Sequence, residues 1–391
     1  MSNSTALRIP YGTKDILPGD ARLQRELEDR VAANFLSWGY DEAITPTFEY
    51  ADTFALSGAG ISDESMRFMD RNNRTLMLRS EMTTPLARMV ATRLKNDKGV
   101  KRLFYIANVF RHEQTQAGRQ CEFSQAGIEM IGAEAPMADA EVLALAVSSL
   151  KAAGLQDFLI SVGHSAFLAG IMEEAGLTEK QADFVKTMIL SHNAVGLEEA
   201  AVRFIPKNLK DLFRDLLYLQ GGRDLLDDLE GRVKNQKSLD ALKNLKAIYK
   251  LAEAYGVAQY LSFDLSLIRN FDYYTGMVFE AYAPQIGFNI CGGGRYDHMM
   301  EAFGDPEPAT GFALGIDRII LSLRRDGRFN RESKWDIYVA WAPGCQEKAI
   351  QKALELRNGG KNVKVATNAL TPEEAAKACA ENRCEAVAYV G

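Results

Sequence analysis

Between Leu267 and Arg295 the chain reads LIRNFDYYTGMVFEAYAPQIGFNICGGGR, and no other stretch narrows the possible folds so far. Its apolar and aromatic runs, punctuated by Gly, Pro and Asn, predict strand, turn, strand, turn, strand and then a glycine cluster. Arg269, Asp272, Tyr273 and Tyr274 fall in the first run. A strand core rarely holds an arginine and an aspartate so near two tyrosines unless they line a cavity, so the stretch predicts a small-molecule pocket. On a strand, Tyr273 and Tyr274 point to opposite faces, and at most one of them is expected to meet a ligand. The GGGR at Gly292–Arg295 has neither phosphate-loop spacing, which leaves close backbone packing or close approach of a ligand as the expected reason for three glycines.

The rest of the pocket is expected from Arg79 to Thr84 and from Val109 to Gly132. Thr83 and Thr84 precede Pro85, which starts a predicted helix running to about Leu94, with Leu86, Met89, Val90 and Leu94 as its buried stripe. Glu81 and Thr83 therefore sit at a strand-to-helix junction. Arg102–Arg111 and Glu122–Gly132 read as paired strands joined by a long polar loop. The two-residue period puts Phe123, Gln125, Gly127, Glu129 and Ile131 on one face. Gly127 would leave an open floor between an amide and a carboxylate. Glu81, Gln125 and Glu129 together suit a cationic ligand such as an amine or an imidazolium, against the plainer reading of a hydrogen-bonded surface network. Arg111, Arg119, Arg269 and Arg318 lie near the expected rim, where guanidinium forks suit carboxylates and phosphates, against the alternative of ordinary surface ion pairs.

Elsewhere the pattern is simpler. Leu23, Leu27, Val31 and Phe35 predict a helix over about 20–37, ended by Gly39. Ala43–Phe48 reads as an edge or interface strand because Pro46 lies inside it. Ser65–Asp70 and Arg74–Leu78 read as a hairpin about Asn72 and Asn73. A helix over Met137–Ala153 and a strand over Phe158–Val162 follow. Residues 166–260 turn helical and charged, a mostly structural insertion. GFALGIDRIILSL, Gly311–Leu323, reads as an apolar helix carrying Asp317 and Arg318. The expected organisation is a core over 1–325 containing that insertion, a charged linker at 326–334, and a small α/β unit at 335–391 that stops at its third strand.

Composition bears on partners. A net charge of −6 lacks the basic footprint of a protein devoted to nucleic acid. No apolar run approaches the roughly 18 residues that cross a bilayer, and the first residues carry no signal pattern, so a cytoplasmic protein without membrane attachment is expected. The 5 cysteines are scattered and the 4 histidines spread, which argues for reduced thiols and no metal site. No cofactor is called for, and no Ser–His–Asp or Cys–His arrangement can be assembled. His112 beside Glu113 reads as a solvated loop histidine.

At these residues the chain resembles the class II aminoacyl-tRNA synthetase core of the histidyl-tRNA synthetase type. VFRHEQTQAGRQCEFSQAGIEMIG is similar to its second motif, LIRNFDYYTGMVFE and CGGGRYD to its histidine-specific motifs, and GFALGIDRI to its third. The resemblance covers nearly the whole chain and implies an α+β fold: a mostly antiparallel sheet flanked by helices, a helical insertion, and a truncated unit similar to an anticodon-binding domain. Two fates share this core, the synthetase and the regulatory subunits of ATP phosphoribosyltransferase. LRSEMTTPLARM is similar to the latter, with Met82 where synthetases usually have glycine; Gln114 and Cys121 stand where the synthetase loop carries arginines. The resemblance implies a non-catalytic chain that senses free L-histidine. Glu81, Thr83 and Gln125 match positions that hold the amino group, Arg269 one that meets the carboxylate, and Glu129 and Tyr274 positions that face the imidazole. Arg111 and Tyr273 complete the expected histidine site, and Arg119 and Arg318 are expected remnants of an ATP site. The implied partners are a second copy of the chain and the short-form catalytic subunit of ATP phosphoribosyltransferase, four plus four in a hetero-octamer that histidine inhibits allosterically. Transfer RNA is not expected among them; a working histidyl-tRNA synthetase with a trimmed tail is the alternative.

Overall fold

The computed structural model describes residues 7–58, 63–112, 120–268, 273–329 and 335–391. They divide into two compact units: one takes Met1–Asp15 with Glu26–Arg328, the other Ile16–Arg25 with Phe329–Gly391.

In chain order the elements of the first unit begin with helix α1 (Pro18–Ser37), which spans the division, and strand β1 (Asp41–Glu42). Strands β2 (Phe48–Tyr50), β3 (Arg67–Met69) and β4 (Thr75–Leu78) enclose helix α2 (Ala51–Leu56) and form a small antiparallel sheet. Helix α3 (Thr83–Arg93), strands β5 (Lys101–Phe110) and β6 (Glu122–Ile131), helix α4 (Met137–Ala152) and strand β7 (Leu159–His164) follow. The insertion holds helices α5 (Ser165–Glu174), α6 (Glu179–Leu190), α7 (Ala194–Arg203), α8 (Lys210–Asp215), α9 (Arg223–Arg232) and α10 (Gln236–Ala254), with strand β8 (Gln220–Gly221) among them and β9 (Leu261–Asp264) after. Strands β10 (Met277–Tyr282) and β11 (Asn289–Arg295), helix α11 (Met299–Phe303), strand β12 (Ala309–Gly315) and helix α12 (Ile316–Arg325) complete it.

Nine of these strands make one sheet in the order β1-β5-β6-β12-β11-β10-β7-β9-β8. Only the β1–β5 and β7–β9 joints are parallel, so the sheet is mostly antiparallel, as the resemblance implied. Its two faces differ because side chains alternate along each strand. The register sets Phe104, Ile128, Phe312, Gly293, Phe279 and Val162 in one row across the sheet. Phe35 of α1 packs on this face, its ring 5.4 Å from Phe104 and 6.1 Å from Phe312. Large apolar side chains removed from water here supply most of the driving force for this layer.

The other face carries smaller side chains along its middle. One row reads Leu103, Glu129, Gly311, Gly294, Val278, Gly163, and the next Tyr105, Gly127, Ala313, Gly292, Glu280, Ser161. Glycine, alanine and serine on β6, β12, β11 and β7 keep this face low, with Glu129, Glu280 and Tyr105 along it.

Several expectations change here. GFALGIDRIILSL is not one helix: its first half is β12, and the helix begins only at Ile316. Gly311 and Gly315 make that half a poor helix and a good strand for close sheet packing. Ala43–Phe48 is not a strand; pairing stops at Glu42 and resumes at Phe48, on either side of Pro46. The expected strand at the head of Leu267–Arg295 is absent among the described residues, where Leu267, Ile268, Tyr273 and Tyr274 lie outside any strand; Arg269 and Asp272 fall outside those residues. The hairpin about Asn72 and Asn73 is present, and Asn73 has φ +58°, which asparagine tolerates.

The second unit alternates β13 (Trp335–Trp341), α13 (Gln346–Asn358), β14 (Val363–Val365), α14 (Pro372–Glu381) and β15 (Cys384–Val390). Its three strands are parallel in the order β14-β13-β15. Thr371 caps α14 with Glu374 answering back, a reciprocal pair that satisfies two free amides of the first turn. Among the described residues no helix is long and apolar enough to cross a membrane, and no group of three or more His, Cys, Asp or Glu side chains could hold a metal ion.

Candidate functional site

Glu129 is the centre of the site. It lies on β6 in mid-sheet, 2% exposed, with its carboxylate over Gly311 of the neighbouring strand. Thr83 donates its hydroxyl to Glu129 Oε1 at 2.7 Å, and Tyr296 donates its hydroxyl to Oε2. Burial pushes the Glu129 carboxyl up to about 8; the hydroxyls of Tyr296 and Thr83 pull it down and nearby Glu81 pushes it further up.

Glu81 stands at the junction between β4 and α3, as the sequence placed it. Its carboxylate accepts from the Thr83 amide at 2.6 Å and the Thr84 amide at 3.0 Å. The preceding Met82 has no side chain to cap the helix, so Glu81 satisfies the first free amides of α3. Burial raises its pKa, opposed by these donors and by the Arg111 guanidinium. Thr83 thus bridges the two acids: its amide meets Glu81 and its hydroxyl Glu129.

Arg111 donates Nε–H to the Ser80 carbonyl at 2.7 Å and lies over the Phe123 ring at 5.5 Å. Gln125 is half-buried on the Glu129 face, paired with Ala107 and Gly315. Arg318 donates Nη1–H to the Asn289 carbonyl at 2.9 Å and covers the Phe288 ring at 5.2 Å. Arg119 and Arg269 lie outside the described residues.

Two expectations about the floor are corrected. Tyr273 and Tyr274 do not point apart, because they are not on a strand; their rings lie 4.8 Å from each other, and Tyr273 meets Tyr296 edge-on at 5.8 Å. Both tyrosines pack on the apolar cluster of Met82, Leu86, Leu103 and Tyr105. The gap over Gly127 is not open either: a Cβ there would stand 2.4 Å from the Tyr105 hydroxyl, so that hydroxyl occupies it. Sequence reasoning missed both Tyr105 and Tyr296. Tyr296 stands inside CGGGRYD, where a tyrosine directly after the glycine strand was the available signal. Tyr105 shares the face of Glu129 by register, which needs the pairing of two strands to be known.

The glycine cluster is explained by packing. Gly292–Arg295 belong to β11, a central strand, so they form no phosphate loop. A Cβ on Gly294 would meet the Tyr274 ring at 2.8 Å. Arg295, 4% exposed, turns to the opposite face and donates Nε–H to both oxygens of the fully buried Asp139, at 2.9 and 3.1 Å.

The geometry yields a packing prediction. A Cβ on Gly311 would lie 2.0 Å from Glu129 Oε2 and 2.3 Å from the Ile128 carbonyl oxygen. The carboxylate can move but the backbone cannot, so Gly311→Ala should cost about 1–3 kcal/mol. Thermal unfolding of the variant, several degrees below the parent, is the check.

Comparison with known proteins extends the picture. The family model described as histidyl-tRNA synthetase matches residues 12–319. An ATP phosphoribosyltransferase regulatory subunit of Desulforamulus reducens is 40% identical over 98% of this chain and 95% of its own. The protein of that name from Moorella thermoacetica is 42% identical over 82% of this chain and 83% of its own. A solved structure described as an ATP phosphoribosyltransferase regulatory subunit/histidyl-tRNA synthetase from Bacillus halodurans superposes with a TM-score of 0.88 at 31% identity, covering 98% of both chains. Histidyl-tRNA synthetase from Nostoc, at 22% identity and a TM-score of 0.84 over 97% of this chain and 90% of its own, shares the fold.

Proposed function

The chain belongs to the ATP phosphoribosyltransferase regulatory subunits, a family built on the histidyl-tRNA synthetase fold, and from that premise we propose that it is the non-catalytic subunit that activates a short-form catalytic partner and makes it answer to free L-histidine in the first step of histidine biosynthesis. The observation that carries the sensing role is the buried Glu81–Thr83–Glu129 chain of hydrogen bonds on the glycine-rich face of the sheet. Histidine would lie with its amino group toward Glu81, Thr83 and Gln125 and its imidazole toward Glu129 and Tyr274. Tyr273 and Arg111 complete the walls, and Arg269 would take the carboxylate. Arg318, with Arg119, is a remnant of the nucleotide site.

Assembly follows the same reading: a dimer of this chain, and four copies with four catalytic subunits. The small sheet β2-β4-β3 supports a self-association surface. Its register puts Phe48, Tyr50, Phe68, Leu76 and Leu78 on one face, and the three aromatics are exposed. Apolar faces of this kind on soluble chains mark interaction sites. Histidine can shift the complex only by binding its active and inhibited states unequally, with a coupling of about 1–3 kcal/mol as the usual range.

Reconstitution tests the proposal. Mixed with a short catalytic subunit, the chain should confer ATP phosphoribosyltransferase activity that histidine suppresses. Alone, with histidine and ATP, it should catalyse no ATP–pyrophosphate exchange. Robust exchange with no gain of activity on mixing would make the chain a synthetase.

A further inference from the structure

Every cysteine of the chain is free, and in the second unit two of them meet. Cys379 lies on the buried side of α14, and Cys384 opens β15. The turn between them explains the meeting. Asn382 ends the helix with its amide on the Ala378 carbonyl, and Arg383, at φ +54°, turns the chain back with its amide on the Ala380 carbonyl. A helix closed by a left-handed residue brings the next residue against its last turn, where an apolar contact commonly seals the corner. Here that contact is made by two thiols. Cys379 Sγ–H donates to the Cys384 carbonyl at 3.4 Å, and Cys384 Sγ–H to the Asn382 carbonyl at 3.7 Å. Both side chains pack in the cluster of Tyr338, Ala340 and Ala375. Cys379 is buried, whereas Cys384 is half-buried and is the sulfur that solvent reaches first.

We propose that Cys379 and Cys384 form a redox-active dithiol, closed to an intramolecular disulfide by exchange with a low-molecular-weight disulfide such as oxidised glutathione. The pair stands apart from the histidine reading and shares no residue with it. Closure takes two exchanges. Cys384 gives its proton to water and attacks one sulfur of the small disulfide, whose other sulfur leaves as a thiolate and is protonated. Cys379 then gives up its proton and attacks Cys384 Sγ in the mixed disulfide, which releases the second small thiol. Two protein thiols are oxidised to one disulfide, and the small disulfide is reduced to two thiols. The Cys379 sulfur already reaches the Cys384 carbonyl, so side-chain rotation brings the two sulfurs together with little backbone movement. A thiol held at contact also outcompetes a second small thiol from solution, so the mixed disulfide does not persist. The first exchange is the slow one: burial and the neighbouring Cys379 push the Cys384 thiol upward, and the Lys364 ammonium draws it only part of the way back. The pair therefore stays reduced until a small disulfide is supplied.

The test holds the full chain, first reduced and freed of reductant, in glutathione buffers of rising oxidised fraction. Samples are quenched with N-ethylmaleimide in denaturant and read by intact mass and peptide mapping. The parent should gain one cross-link between Cys379 and Cys384, with no glutathione retained on either and full reversal by dithiothreitol. Cys379→Ser should stop at a glutathione adduct on Cys384, because the resolving sulfur is gone. Cys384→Ser should show neither cross-link nor adduct at the buried Cys379. The oxidised parent should also unfold a few degrees above the reduced one, since the closed loop restricts the unfolded chain. A parent that keeps glutathione on Cys384 while Cys379 still takes the maleimide would overturn the proposal. So would a parent in which both cysteines stay reduced in oxidised glutathione alone.

Discussion

Glu129→Gln should abolish most of the response to histidine while the protein still folds and still assembles with its catalytic partner. The amide keeps the shape of the carboxyl and can meet both Thr83 and Tyr296, whose hydroxyls donate to the parent side chain. What it cannot do is become an anion under an imidazolium. Charge-assisted hydrogen bonds contribute about 1.5–3 kcal/mol, so histidine affinity should fall by roughly ten- to a hundredfold. The pH dependence identifies the cause. With the Glu129 carboxyl pushed up to about 8, the free protein carries its proton through neutral pH. A free imidazole loses its own proton near 6.5. Between those values a protonated carboxyl meets a neutral ring, and the complex keeps a single proton between them. Below that window binding must expel a proton, and above it must take one up, so parent affinity should fall on both sides. In Glu129→Gln the fall beginning near 8 should vanish, and any fall that remains belongs to the ligand's own ammonium group. Calorimetric affinities from pH 5.5 to 9 decide it; a variant retaining parent affinity and the same alkaline limb would remove Glu129 from the sensing role. Stability supplies a second readout. A carboxyl with a raised folded pKa binds more protons folded than unfolded between 4.5 and about 8, so the parent loses stability as pH rises through that window. The amide is spared this loss, on the order of 5 kcal/mol in full, so the variant should gain on the parent toward pH 8–9 and show no gain near pH 4.

How far the site was readable follows from the range of its interactions. Gln125 and Glu129 share a face because strand alternation is a local rule, and the run from Glu122 to Gly132 obeys it. Glu81 and Thr83 are placed at a junction by Pro85 and the apolar stripe after it, also local signals. GFALGIDRIILSL defeats the same kind of reasoning. A short apolar run fits a buried strand or a helix equally, and here the sheet claims the half with two glycines, the pairing of Gly311 with Glu129 and Gly294 being invisible in one chain segment. Residue type alone predicts a strand for Tyr273 and Tyr274, but the chain there is irregular, with Tyr273 packed on Tyr296 and Tyr274 on Tyr273. Tyr105 was hidden for a different reason: on β5 it is one aromatic among several, and only the register with Gly127 shows where its oxygen goes.

The pair of Asp139 and Arg295 spans 156 positions of sequence, beyond any local signal, and its loss should be the most damaging to stability. Asp139 is fully buried on α4, while Arg295 follows the glycines of β11 and also donates Nη1–H to Asp297 at 2.8 Å and to the Ala133 carbonyl at 3.2 Å. Burial pushes the Asp139 carboxyl upward and the guanidinium pulls it back. The value of such a pair lies less in its attraction than in what breaking it leaves behind. Asp139→Ala strands a guanidinium with Asp297 as its remaining ionic partner, at a cost of about 3–5 kcal/mol and several degrees in Tm. The effect should reach the site, since Tyr296 is the next residue and its hydroxyl holds Glu129. Histidine affinity is therefore expected to fall with stability, although Asp139 lies on the other face of the sheet. Asp139→Leu combined with Arg295→Met removes the stranded charge and restores packing, and should be more stable than Asp139→Ala alone. Chemical denaturation of the parent, Asp139→Leu, Arg295→Met and the pair closes the cycle. A double variant whose loss equals the sum of the two single losses would show that the side chains act independently and would sink the pair as a coupled unit.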